Sequence, residues 1–101
     1  MTGTTAHYYL ISYDVTDDKR RAHIARKLQA YGDRIQFSAF LVSVSPARFI
    51  RLKATLIKQI DCKEDSVILC DLGPTSSVIE NKKITYLGCT RQVIPLGAVI
   101  M

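Results

Sequence analysis

The chain has 101 residues, 48% hydrophobic and 23% charged, which is the composition of one globular domain with a modest core and excludes a disordered chain. Fourteen Lys and Arg against nine Asp and Glu leave a net charge of +5. The excess is spread, with six basic and four acidic side chains in residues 1–45 and eight and five in residues 46–101. That suits a polyanionic partner and excludes a separate basic tail.

Cys62, Cys70 and Cys89 form no CxxC pair, and His7 and His23 lie far from them in sequence. Zinc takes about four ligands, so the three read as buried or idle thiols of a reducing compartment. No basic stretch precedes an apolar run at the start, and no apolar run approaches the ~18 residues of a membrane span. The expectation is a soluble, cytoplasmic protein without a membrane partner.

In chain order, Tyr8–Asp14 is an apolar run that predicts a central strand. Thr16 then reads as a helix N-cap, with Asp17 and Asp18 in the first turn, where the helix dipole favours anions. Ile24, Leu28 and Tyr31 recur at helical spacing, predicting an amphipathic helix over 17–31 stopped by Gly32. Arg34–Val44 is either one bent strand or a tight hairpin around Phe37-Ser38. Ser45-Pro46 is a second helix start, a capping hydroxyl followed by proline at N1. Phe49, Leu52, Leu56 and Ile60 line one face of that helix, while Arg51 and Lys58 project from the other; Lys53 falls inside the stripe and snorkels outward. Ser66–Leu72 reads as another buried strand closed by Gly73-Pro74. Thr75–Lys83 reads as a loop or a poorly ordered stretch, Ile84–Leu87 as a short strand, and residues 91–101 as a last extended segment.

Strand, helix, strand or hairpin, helix, strand, then two short extras, predicts an α+β fold: a ferredoxin-like βαββαβ domain over residues 1–101, with an antiparallel sheet, two helices on one face and extra C-terminal strand or strands. The other sheet face is left bare, and a bare apolar face predicts a homodimer.

The segments Tyr13-Asp14-Val15-Thr16-Asp17-Asp18-Lys19-Arg20-Arg21 and Tyr31-Gly32-Asp33-Arg34-Ile35-Gln36-Phe37-Ser38-Ala39-Phe40 resemble the small CRISPR-associated endonuclease family, the second protein of the universal spacer-acquisition pair. The resemblance spans about residues 8–90 and takes in Ser45-Pro46, Glu64-Asp65-Ser66 and Leu72-Gly73. It implies a ferredoxin-like homodimer with its sheet faces packed together, and a metal-dependent endonuclease of RNA or duplex DNA that acts in spacer acquisition and antiviral defence. Asp14, facing its two-fold mate, is implied as catalytic acid and as ligand for Mg²⁺ or Mn²⁺. A CRISPR-associated integrase is the implied partner. The last residues match least well; an extended segment at 91–101 would pair with the partner chain.

Arg20, Arg21, Arg34, Arg51 and Lys58 are candidate phosphate contacts, since charge is what backbone binding needs. Tyr13, Ser38 and Phe40 are possible neighbours of the site. Each also has a plainer reading. Asp14 is equally placed to be a turn aspartate, Asp17 and Asp18 to cap a helix, the arginines to be solvated heads on packed stems, and Tyr13 and Phe40 to be core. Functionally the alternative to the enzyme is a non-catalytic DNA-binding scaffold that bridges integrase dimers.

Overall fold

The computed structural model describes residues 5–88. Their elements are β1 (His7–Asp14), α1 (Asp18–Gln29), β2 (Gly32–Gln36), β3 (Ala39–Val44), α2 (Pro46–Gln59), β4 (Ser66–Pro74) and α3 (Thr75–Glu80). The strands form one sheet in the order β2-β3-β1-β4, every neighbour antiparallel. This is the expected ferredoxin-like arrangement.

Alternation along β1 sorts the sheet into two faces. Tyr9, Ile11 and Tyr13 are buried with Ile24, Ala25 and Leu28 of α1, Leu52 and Leu56 of α2, and Phe40, Val42 and Val44 of β3. Each large aliphatic side chain so buried contributes about 1.5–3 kcal/mol. Phe49 of α2 lies flat on Tyr9, ring centroids 3.7 Å apart. At the same end of β1, His7 Nδ1 sits 2.9 Å from Asp71 Oδ1 and ties β1 to β4.

Several expectations change. The N-cap of α1 is Asp17, which accepts from the Arg20 amide at 2.9 Å; the hydroxyl of Thr16 is engaged by Glu64 instead. Gly32 does not stop α1, which ends at Gln29 with Ala30 as C-cap. Gly32 opens β2, opposite Val42, and a Cβ there would lie 2.1 Å from the Leu41 carbonyl oxygen. It is glycine because two backbones touch. Arg34–Val44 is the hairpin, turning at Phe37-Ser38. Ser45 and Pro46 start α2 as expected, the Ser45 hydroxyl accepting from the Arg48 amide.

β4 is not a buried strand. It is a sheet edge with no buried residue: Val67 and Leu69 lean on the core, while Ile68 is 66% exposed. Its register slips opposite Tyr8/Tyr9, and Gly73 carries the positive φ of 96° just past the slip. Thr75–Glu80 is a helix and not a loop. Six residues are too few to show a period, and what holds α3 is Val78, fully buried against Leu41 on the second face of the sheet. Ile84–Leu87 is not a strand; Ile84 and Tyr86 pack beside Val78 and Leu41. The second face is therefore half covered, and not bare as expected. Cys62 and Cys70 are exposed free thiols, so of the two alternatives, buried or idle, burial does not hold for either. Cys89 and the extended segment at 91–101 lie outside the described residues.

Candidate functional site

β1 ends at a junction where two faces separate. Tyr13 turns inward and is 3% exposed. Asp14, one residue on, leaves the opposite face, exposed and opposite Ser66 in the β1–β4 register. Among the described residues Asp14 takes part in no ion pair.

The loop that follows is clamped from a distance of about half the chain. Asp65, at the start of β4, accepts from Arg20 Nε at 2.9 Å and Nη2 at 3.1 Å, the Asp61 amide at 2.9 Å and the Thr16 amide at 3.3 Å. The bidentate Arg20 hydrogen bonds, reinforced by the backbone amides, hold its carboxyl down at about 2, and the same pair raises the Arg20 guanidinium above its ordinary range. Arg20 is thus a positioning residue, with its fork given to Asp65.

A cleft of about 190 Å³ opens beside Tyr13, between α1 and the β2–β3 hairpin, and is lined chiefly by Arg21, Arg34, Phe37 and Asp18. Arg21 donates to the Val15 carbonyl at 3.0 Å and pairs with Asp18, so its charge is already offset. The Arg34 guanidinium lies over the Phe40 ring, 5.4 Å from its centroid, and carries no ion pair among the described residues. The Tyr13 hydroxyl and Arg34 Nε are buried without a hydrogen-bond partner among the described residues. The Ser38 carbonyl accepts from the Tyr13 amide at 2.9 Å, which sets the hairpin turn beside the end of β1.

Of the expected site residues, Tyr13, Arg21 and Arg34 therefore meet in one cleft. Phe40 is fully buried core that carries Arg34 on its ring. Ser38 serves through its backbone. Arg51 and Lys58 are exposed on α2, away from the cleft. Asp14 is outside the cleft lining. Sequence reading missed Asp65 and Phe37. The signal for Asp65 was an acid at a strand start together with an Arg beside an apolar helical stripe, 45 residues apart and so invisible to local spacing.

No three His, Cys, Asp or Glu side chains gather as a metal cluster among the described residues. A single Asp14 carboxylate is an oxygen ligand suited to a hard cation such as Mg²⁺ or Mn²⁺, and fits one only as half of a site completed by a second copy. No helix among the described residues is long and apolar enough to cross a membrane.

Comparison with known proteins agrees with this arrangement. The family model for CRISPR associated protein Cas2 matches residues 7–77. The CRISPR-associated endoribonuclease Cas2 of Nitratidesulfovibrio vulgaris is 32% identical, over 100% of both chains. The crystal structure of Streptococcus pyogenes Cas2 at pH 6.5 superposes with a TM-score of 0.68 at 35% identity, covering 80% of this chain and 99% of that one. A chain of a partial Cas6-RT-Cas1–Cas2 complex superposes with a TM-score of 0.60 at 33% identity, covering 71% and 78%. With the family model matching most of the chain and a full-length relative above 30% identity, the protein belongs to the CRISPR associated protein Cas2 family.

Proposed function

We propose that the protein is a homodimeric, Mg²⁺- or Mn²⁺-dependent endoribonuclease, with the Asp14 carboxylates of two copies sharing the metal. The observation that carries this is Asp14 itself, exposed and without an ion pair among the described residues, at the rigid end of β1 and next in sequence to a cleft that holds Arg34. Relatives named as endoribonucleases support RNA as the substrate. When bound, a hard divalent ion activates water and offsets charge on the phosphate. The chain's own residues do the rest. Arg34, stacked on Phe40, offers its guanidinium to a phosphate oxygen, and the Asp65 clamp fixes the loop from Val15 to Asp17 that follows Asp14. Two Asp14 side chains brought together would repel without a cation, so removing them leaves the apoprotein folded.

The test is cleavage of labelled RNA and duplex DNA with Mg²⁺, Mn²⁺ or EDTA. Asp14→Asn should cut RNA at least about 100-fold more slowly, the scale of several kcal/mol of transition-state charge stabilisation. Equal rates for wild type and variant would overturn the assignment.

A second reading, a DNA-binding scaffold working with the CRISPR-associated integrase, is favoured by the likeness to a Cas1–Cas2 complex chain and by the exposed Arg51 and Lys58 on α2. It predicts salt-sensitive duplex binding with a log–log slope near −5, as for about six neutralised phosphates per dimer. Replacing Arg51 and Lys58 together by Ala should flatten that slope by roughly 2 or more. A slope unchanged in titrations from low to moderate salt would remove α2 from the binding surface.

A further inference from the structure

We propose that the solvent face of α2 is a short coiled-coil seam that docks an acidic amphipathic helix of another protein; this goes beyond the reading at Asp14 and does not depend on it. α2 already turns one apolar stripe inward: Leu52 and Leu56 are buried, and Phe49 and Ile60 lean on the same core. One such stripe is enough to hold a helix on a sheet. Yet Ile50 is 68% exposed and Ile57 56% exposed on the same helix. Isolated apolar side chains at a surface are ordinary, but these two are not isolated. Ala47 and Ala54, also exposed, fall in line with them, so the four recur at steps of three, four and three residues. That is the a and d spacing of a coiled coil, and it places Leu52 at f, the position facing away from the seam.

The borders of the seam choose the partner. Positions e and g, beside the a/d row, set by their charge which helix can pair with it. In α2 they are Arg51 and Lys58 on one border and Lys53 on the other, all exposed. α2 contains no Asp or Glu, and none of the three cations has an ion pair among the described residues. A second copy of α2 would set cation against cation, so the seam rejects its own kind. A helix with Glu or Asp along its borders is matched on both sides. Ala47 and Ala54 leave holes between the isoleucines that larger apolar side chains of such a helix can fill.

A nucleic-acid backbone suits the same face less well. It pairs with the cations but gives Ile50 and Ile57 no apolar surface to lie against. The duplex of the second reading uses Arg51 and Lys58 too, so duplex and helix exclude one another on α2. α2 packs on the helix side of the sheet, and Asp14 leaves the other side. A dimer formed through that other side therefore keeps both seams open to partners.

The experiment measures fluorescence anisotropy of a labelled synthetic peptide of three heptads, with Ile at a, Leu at d and Glu at every e and g. Its own charges keep it from pairing with itself at neutral pH. A companion peptide carries Lys at e and g. The full chain should bind the Glu peptide at least about tenfold more tightly than the Lys peptide. Replacing Ile50 and Ile57 together by Ser should weaken binding of the Glu peptide about tenfold or more, with duplex affinity unchanged. Reversing the borders, with Arg51→Glu, Lys53→Glu and Lys58→Glu combined, should invert the preference between the peptides. All five side chains are exposed, so the fold tolerates both variants, which circular dichroism checks. A wild type that binds neither peptide, Glu-peptide binding indifferent to the isoleucines, an equal loss for peptide and duplex, or a preference that the reversal does not invert would each overturn the proposal. So would a wild type that self-associates through α2, seen in light scattering as a fall in mass when Ile50 and Ile57 are replaced. Failure of the duplex reading looks different: a salt slope unmoved when Arg51 and Lys58 become Ala, beside Glu-peptide binding that the same change weakens.

Discussion

Asp65 is a single acid that serves four donor contacts, and at the scale of the residue it is the most consequential group outside the cleft. Its carboxyl sits at about 2 against a usual 3.8. A carboxyl depressed on folding stabilises the fold at pH above the unfolded value, and that stabilisation drains away as pH falls from about 4 towards 2. Wild type should therefore lose urea resistance through that window. Asp65→Asn, with no charge to lose, should be less stable at pH 7 and flatter between pH 4 and 2, as read from urea midpoints. Parallel curves for the two proteins would show that the clamp contributes nothing through charge. Asp14 is the counter-case, beside the same loop but without an ion pair among the described residues.

At the scale of the element, neighbours decided what propensity could not. Gly32 reads as a helix stop because glycine commonly follows helices, yet its work is to let β2 close on β3 at Val42. Gly32→Ala should cost about 3 kcal/mol, the upper end of overpacking costs, because backbone and not a side-chain tip stands in the way. Thermal melting should show a drop of at least about 10 °C for a domain this size; a drop under about 2 °C would mean the hairpin opens freely. β4 carries as apolar a run as β1, but nothing among the described residues covers its part of the second sheet face, so Ile68 and Cys70 are exposed. α3 exists through one buried side chain, Val78. Ser45-Pro46, by contrast, starts its helix as read, because cap chemistry is local.

For the molecule as a whole, coverage of the second sheet face matters most. α3, Ile84 and Tyr86 protect Tyr8, Leu41 and Leu72, leaving Leu10, Ile68 and Cys70 at the open part, the first of these opposite Cys70 in the register. That remainder is where a second copy is expected to sit, on the face from which Asp14 departs. Ile68→Lys should shift wild-type dimer to monomer in light scattering at micromolar concentration. It should also abolish metal-dependent cleavage while leaving the far-ultraviolet spectrum intact. A dimer that survives Ile68→Lys unchanged would place the interface elsewhere.

The sequence by itself determined what depends on neighbours along the chain. Strand β1, both helices on one face, the Ser45-Pro46 start and the β–α order of a ferredoxin-like sheet all follow from periodicity and capping, and the motifs around Asp14 and Arg34 carry the family. Only the tertiary structure decided what depends on partners far away. It paired Arg20 with Asp65, 45 residues on. It made β4 an edge, raised a helix at Thr75–Glu80, and brought Tyr13, Arg21, Arg34 and Phe37 around one cleft. Spacing encodes which face a residue shares with its neighbours on one element; it carries no record of which element will be packed against that face.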